Sequence, residues 1–175
     1  MSRTFASLLA AAVAAIALLA APAFAGETAV VKPPSLFKSQ LPQVKEDSGI
    51  EAVYLPSNIR VFTSARRVRA NVESSDGNYN LILGIGSRCN GANVCLLANF
   101  AALRGERASG RRVTLADGTR ARWRDISCGA SCSPAAIQFV KGGVLYEIAT
   151  KGTTERTVKA TLVKLANSAI NAGPR

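Results

Sequence analysis

The chain has 175 residues, of which 22 are lysine or arginine and 11 are aspartate or glutamate, and it contains no histidine. The missing histidine removes the usual base of a serine-hydrolase triad and the commonest metal ligand, which disfavours most hydrolases and metalloenzymes. The net charge of +11 favours anionic partners such as lipopolysaccharide, phospholipid headgroups or acidic glycans, although a basic surface without a ligand gives the same composition.

Residues 1–25 follow the pattern of an export signal. Arg3 is their only charge, an apolar run extends from Leu8 to Ala21, and Ala23-Phe24-Ala25 is a small-x-small cleavage site. The apolar run is shorter than the roughly 20 residues that cross a bilayer, so we expect cleavage after Ala25 rather than a membrane anchor. The remaining 150 residues hold 21 basic and 11 acidic side chains, a net charge of +10, and we expect them to be periplasmic or secreted.

Residues 26–49 are rich in helix-breaking signals. Pro33-Pro34 and Pro42 predict an extended N-terminal arm with one short helix around Leu36–Leu41. Residues 50–175 are predicted to form a single domain, which is a normal size for one hydrophobic core.

The clearest secondary-structure signal is a hairpin that joins Arg67–Ser75 to Asn78–Gly86 through Asp76-Gly77. A two-residue turn at Asp-Gly fixes the register of the two strands. In that register all the facing residues on one side are apolar: Val72 with Leu81, Ala70 with Leu83, and Val68 with Ile85. The next apolar stretch, Val94–Leu103, predicts a long central strand.

Two further hairpins follow. One joins Arg112–Ala116 to Thr119–Ser127 across Asp117-Gly118, and a two-residue turn there would place Leu115 opposite Arg120, Val113 opposite Arg122 and Arg112 opposite Trp123. The other joins Ala136–Lys141 to Val144–Thr150 across Gly142-Gly143, which pairs Phe139 with Tyr146 and Ile137 with Ile148.

A helix is predicted over 154–171, because apolar residues recur there at helical spacing. Thr153 or Thr154 is the expected N-cap, Glu155 faces the helix dipole, and Gly173-Pro174 ends the helix. The predicted fold class is therefore α+β: an antiparallel sheet of about five to seven strands built from hairpins, packed by a C-terminal helix and carrying two disulfides.

The four cysteines form two close pairs, Cys89 with Cys95 and Cys128 with Cys132. Local pairing needs the least prior folding and is favoured, while crossed pairing remains open at this point. Zinc is disfavoured because the spacings lack the usual two-residue interval and exported thiols oxidise. A thiol-redox or metal-handling role for the segment Cys128–Cys132 is the alternative function.

Alternating arginines on the predicted strands are the candidate anion-binding residues: Arg67, Arg69, Arg120, Arg122 and Arg124. Side chains two residues apart on a strand share one face, and guanidinium groups suit phosphate and carboxylate. A solvated outer face with no ligand is the competing interpretation.

Trp123 is the only aromatic residue among these arginines, so nucleic acid is disfavoured as a partner. We expect no catalytic residues, no cofactor and no metal site. The strand carboxylates Glu73, Asp125 and Glu147 leave a carboxylate-based glycan hydrolase as a third possibility. The expected role is a non-enzymatic module that binds an anionic envelope component or another exported protein.

The last 89 residues, from SRCNGANVC through SCGASCSPAAIQFVKGGVLYEIATK to LVKLANSAINAGPR, resemble a family of uncharacterised exported bacterial proteins. The hairpin GGVLYEI followed by the helix LVKLANSAI is also similar, more distantly, to the small extracellular sheet-plus-helix domain of anti-sigma and sporulation lipoproteins. The resemblance implies an exported α+β domain and no assigned catalytic residues.

Overall fold

A computed structural model describes residues 27–151 and 156–175 of the chain. Three helices and eleven strands occur in these residues, together with a short 3-10 turn at Ala65–Arg67. In chain order they are β1 (Ala29–Val31), α1 (Pro33–Phe37), α2 (Leu41–Ser48), β2 (Ile59–Val61), β3 (Val68–Ser75), β4 (Asn78–Ile85), β5 (Leu96–Arg104), β6 (Arg111–Thr114), β7 (Arg120–Arg124), β8 (Ser127–Cys128), β9 (Cys132–Ser133), β10 (Ala135–Lys141), β11 (Val144–Thr150) and α3 (Val158–Ala172).

Seven of the strands form one antiparallel sheet in the order β3-β4-β5-β11-β10-β7-β6. One face of the sheet is packed by α3 and the N-terminal segment, and the other carries most of the polar strand residues. The strands β1 and β2 form a separate two-stranded ribbon, and so do β8 and β9. The prediction of an α+β fold with a hairpin-built sheet is confirmed.

The first and third hairpins have the predicted registers. Val72 faces Leu81 in the β3–β4 pair, and Phe139 faces Tyr146 in the β10–β11 pair. These apolar pairs lie on the core face, where the rings of Phe139 and Tyr146 stack with centroids 5.5 Å apart. Agreement between turn residues and apolar alternation therefore fixed both registers.

The second hairpin differs from the prediction by one residue. Leu115 N–H donates to the Thr119 carbonyl oxygen, so the loop contains three residues, Ala116 to Gly118, instead of two. Gly118 has φ +83°, the left-handed conformation that closes a three-residue hairpin loop. As a result Arg112 faces Arg122, Val113 faces Ala121, and Arg111 rather than Arg112 faces Trp123.

The C-terminal helix α3 begins at Val158, four residues later than predicted, and ends before Gly173. Its buried side chains form the predicted apolar stripe: Val158, Leu162, Leu165, Ala166 and Ala169. The stripe packs on β10, β11 and β7. The predicted cap residues Thr153 and Thr154 and the predicted first-turn Glu155 lie outside the described residues.

The N-terminal segment is not the extended arm that its prolines predicted. It contains α1 and α2, each of which has proline in its first turn, where the missing amide donor costs nothing. Phe37 and Val44 are fully buried in the main core, and the Phe37 ring meets the edge of Phe100 at 6.3 Å between centroids. The segment is therefore part of the folded unit.

Both cysteine pairs are local disulfides, Cys89–Cys95 and Cys128–Cys132, as predicted. Cys89 packs with Ile82 and Leu96 in a small apolar cluster. The Cys128–Cys132 bridge joins the exposed strands β8 and β9. Neither bridge ties distant parts of the chain together, so the main core does not depend on crossed pairing.

Candidate anion-binding site

The sheet face opposite α3 carries the predicted arginines, but it places them at two separate edges. Arg69 lies on the edge strand β3, whereas Arg120, Arg122 and Arg124 lie on β7. Five strand spacings separate β3 from β7, which corresponds to roughly 24 Å. One compact ligand therefore does not reach both groups.

The arginines near β3 are engaged locally. Arg67 belongs to the 3-10 turn that precedes β3, so it does not alternate with Arg69 along a strand as predicted. The Arg69 guanidinium donates to the carbonyl oxygens of Arg66 and Val68, at 2.7 and 2.9 Å. These contacts turn the side chain toward its own backbone and leave β3 without an arginine array.

Arg124 and Arg111 each form an ion pair with a carboxylate. Arg124 lies 3.1 Å from a Glu147 oxygen, and Glu147 also accepts a hydrogen bond from Gln138. Arg111 forms an ion pair with Asp125, and its guanidinium carbon lies 3.8 Å from the ring centroid of Trp123. The predicted cation–π contact on Trp123 thus exists, but the one-residue register shift assigns it to Arg111 instead of Arg112.

Three arginines remain together on the polar face of the β6–β7 hairpin. Arg112 and Arg122 are direct cross-strand partners, and Arg120 follows Arg122 on the same face of β7. Facing side chains in an antiparallel pair have Cβ atoms about 5 Å apart, and side chains two residues along a strand lie about 7 Å apart. Within the described parts of the chain, none of these three guanidiniums forms an ion pair.

A hollow of about 500 Å³ lies against this cluster. It is lined by Ala108, Arg112, Val113, Thr114, Arg120, Ala121 and Arg122. The segment between β5 and β6 forms one of its walls, and Ser109 anchors that segment to the sheet by donating its N–H to Gln138 at 2.8 Å. The hollow therefore combines three arginines that form no ion pair with any described residue and a wall that is fixed to the sheet.

Gly110 positions one of the three arginines. The Arg122 guanidinium donates to the Gly110 carbonyl oxygen at 2.9 Å, which orients the side chain along the rim of the hollow. Gly110 has φ +107°, and a Cβ there would lie 2.5 Å from the carbonyl oxygen of Trp123. Only glycine fits this close approach to β7 without displacing the backbone.

Arg112 is the member of the cluster that the sequence prediction missed. The two-residue turn placed apolar Leu115 and Val113 opposite Arg120 and Arg122, a mixture of polar and apolar partners on one face. Moving the register by one residue removes that conflict, because arginine then faces arginine and Val113 faces Ala121. The mismatch was the available signal for a three-residue loop.

Glu73 and Glu147 lie too far apart to act as an acid/base pair on one glycosidic bond. Glu147 pairs with Arg124, Asp125 pairs with Arg111, and Glu73 lies on β3, three strand spacings from Glu147. That separation is roughly 14 Å, which is beyond the spacing of two carboxylates that act on one glycosidic bond.

Comparison of the chain with protein-family models, with curated proteins and with solved structures found no match. Across residues 27–151 and 156–175, no helix is long and apolar enough to cross a membrane. The two disulfides are compatible with an extracellular location.

Proposed function

We propose that this chain is an exported, non-enzymatic module that binds the phosphate groups of an anionic envelope component at the Arg112–Arg120–Arg122 cluster. In this proposal residues 1–25 are a leader that is removed after Ala25, and the mature chain is periplasmic or secreted. The observation that carries the proposal is the absence of any ion pair to these three arginines in the described chain, although Arg111 and Arg124 beside them are neutralised.

The chemistry of the cluster favours phosphate. A guanidinium presents several N–H donors in a planar fork that matches the oxygens of phosphate or carboxylate. Three such groups around one hollow match a ligand with more than one charged oxygen, such as a phospholipid or lipopolysaccharide headgroup. Thr114 lines the same hollow and adds a hydroxyl.

The rest of the polar face does not extend the positive surface. Glu73 lies farther along the sheet on β3, where its carboxylate would repel a polyanion, and Glu147, which lies between β3 and the cluster, already neutralises Arg124. The cluster of arginines without ion pairs is therefore confined to the β6–β7 hairpin, five strand spacings from Arg69, which favours a headgroup over a long polyanion such as nucleic acid.

The test is binding of the mature chain to vesicles, measured by sedimentation at two salt concentrations. Vesicles of phosphatidylglycerol supply the anionic headgroup, and vesicles of phosphatidylcholine are the zwitterionic control. We expect binding to the anionic vesicles only, weakening as salt rises because exposed charges are screened. Inorganic pyrophosphate as a competitor distinguishes recognition of phosphate from recognition of the lipid surface.

Two double variants locate the site. Arg112→Ala/Arg120→Ala removes two charges from the hollow, and Arg156→Ala/Lys159→Ala removes two exposed charges on or next to α3. Each basic residue near an anionic surface contributes about 1 kcal/mol, so the first variant should bind about 30-fold more weakly. The second variant has the same net charge as the first, and its affinity for the anionic vesicles should stay close to that of the parent chain. Equal losses would mean that net charge alone drives binding, and binding only to another exported protein would reject the headgroup proposal.

A further inference from the structure

The two disulfides differ in exposure: the first joins buried Cys89 to half-buried Cys95, whereas both cysteines of the second are exposed. Cys89 is 3 % exposed and belongs to the apolar cluster with Ile82 and Leu96. Gly84 lies directly behind it, since a Cβ on Gly84 would be 2.4 Å from the Cys89 Cβ. Both Cys128 and Cys132 are exposed, in the ribbon that β8 and β9 form. An external thiol therefore reaches the second bridge far more easily than the first.

The exposed bridge stands beside a hollow of about 300 Å³ that Cys132 lines and Cys128 does not. The other lining residues are Asn93, Ile126, Ser133, Pro134 and Lys151. Ile126 and Pro134 give this hollow an apolar side, and the Ile126 side chain is accessible to a ligand because the residue is 46 % exposed. Asn93 donates its amide N–H to the Cys132 carbonyl oxygen, which fixes Cys132 at the edge of the hollow.

Lys151 lines the same hollow. Its backbone N–H donates to the Leu97 carbonyl oxygen at 3.1 Å, which holds the residue to the start of β5. Burial of its side chain lowers its pKa. A larger fraction of the amine is then neutral, and a neutral amine accepts the proton of an incoming thiol.

We propose that the Cys128–Cys132 bridge is an exchangeable disulfide that oxidises cysteine-containing peptides with apolar flanking residues, which bind in the hollow beside Cys132. The incoming thiolate attacks the Cys132 sulfur, the Cys128–Cys132 bond breaks, and its electron pair leaves on Cys128 as a thiolate. The product is a mixed disulfide between the peptide and Cys132. A second thiol of the same peptide then displaces Cys132, so a dithiol is oxidised by two electrons and the protein pair is reduced.

This activity is separate from anion binding, because the hollow at Cys132 and the hollow at Arg112 share no lining residue. Loss of one function leaves the other measurable. The Cys89–Cys95 bridge has a purely structural role in the proposal and stays oxidised during exchange.

The test uses the oxidised mature chain and two short peptides, one with its cysteine between two leucines and one with its cysteine between two serines. Mixed disulfides are quantified by intact mass and located by digestion without reductant. We expect adducts at Cys132, none at Cys89 or Cys95, and about tenfold faster reaction of the leucine-flanked peptide, as burial of one or two apolar groups provides. A synthetic cyclic peptide of residues 127–133, which has the same bridge without the hollow, should react equally with both probes.

Matched variants separate the hollow from general exposure. Ile126→Ser removes the exposed apolar side chain of the hollow, leaving only Pro134, and should sharply reduce the preference for leucine. Val94→Ser is the control, because Val94 is 93 % exposed and does not line the hollow. Lys151→Gln should lower the rate of mixed-disulfide formation equally for both peptides, because proton acceptance does not depend on the residues that flank the cysteine. Adducts at Cys128 as often as at Cys132, or equal rates for the two peptides on the parent protein, would overturn the proposal.

Discussion

Replacing Gly110 with alanine strains the backbone next to the arginine cluster in two ways. The left-handed conformation at φ +107° costs an L-residue about 1–2 kcal/mol. The added Cβ would also lie 2.5 Å from the Trp123 carbonyl oxygen, and relief of such overpacking costs about 1–3 kcal/mol. The expected loss in the free energy of unfolding is therefore about 2–5 kcal/mol, or a fall in Tm of about 2–4 °C for each kcal/mol.

Gly118→Ala is the matched control for this prediction. Gly118 has φ +83°, but an added Cβ there meets no atom within 4 Å. This variant should lose only the backbone contribution, about 1–2 kcal/mol. The assay is urea unfolding followed by the fluorescence of Trp123, the only tryptophan in the chain.

The difference between the two variants in the free energy of unfolding isolates the effect of the contact between residue 110 and β7. Gly110→Ala should also weaken binding to anionic vesicles under conditions where it is folded, because Arg122 is held by the Gly110 carbonyl oxygen. Equal midpoints for Gly110→Ala and Gly118→Ala would refute the close approach between Gly110 and Trp123, and with it the described wall of the hollow.

Three further predictions concern the core and two titrating groups. Leu162→Ala should lower the free energy of unfolding in urea by about 2–5 kcal/mol, because Leu162 is fully buried between α3 and the sheet. The exposed control Lys164→Ala should change it by no more than about 0.5 kcal/mol. Similar losses for the two variants would contradict the packing of α3 on the sheet. Hydrogen bonds from the Thr119 N–H and hydroxyl, with Lys141 nearby, lower the pKa of Asp117 from 3.8 to about 2, so the stabilisation is present above pH 3.8 and is lost as pH falls through about 2. Thr119→Val should raise that pKa toward 3.8 in a carboxyl NMR titration, and an unchanged titration would reject the hydroxyl contact. Burial, with a smaller contribution from Tyr54, raises the pKa of Tyr146 from 10.0 to about 12, so its contribution to stability is present below pH 10 and is lost as pH rises through about 12. In a titration followed by tyrosinate absorbance, Tyr146 should therefore ionise above pH 10. Ionisation of all three tyrosines near pH 10 would contradict the buried ring cluster.

The sheet was predictable from the sequence wherever turn chemistry and apolar alternation agreed. Asp76-Gly77 and Gly142-Gly143 both lie between strands whose apolar residues match in only one register, and both registers are confirmed. Asp117-Gly118 fits either a two-residue or a three-residue loop, because glycine adopts the left-handed conformation in both. The apolar residues placed opposite the arginines of β7 by the two-residue loop were a signal for the three-residue loop, but the prediction followed the turn residues and was wrong.

The N-terminal segment shows a different limit. Its prolines lie in the first turns of two short helices, where the prediction had an extended arm with one helix around Leu36–Leu41, and the sequence did not indicate that Phe37 and Val44 reach the core. Helices of five and eight residues are not stable alone, so tertiary packing determines whether they form. Such packing depends on neighbours that are distant in the sequence, which local patterns do not reveal.

The candidate site was only partly predictable for the same reason. Residue type and alternation identified Arg120 and Arg122, yet the ion pair of Arg124 with Glu147 depends on strand order across the sheet. Arg69 was selected because it carries a guanidinium, but its side chain bonds to its own backbone. Which arginines are free to bind a ligand follows from tertiary contacts rather than from sequence pattern.

The most direct test of the anion-binding account is NMR of the isotopically labelled mature chain during titration with inorganic pyrophosphate. We predict that the shift changes concentrate on the lining of one hollow, at Ala108, Arg112, Thr114, Arg120 and Arg122. Changes concentrated on Lys159 and Lys164 of α3, or spread evenly over all the basic residues, would show that the arginine cluster is not a binding site.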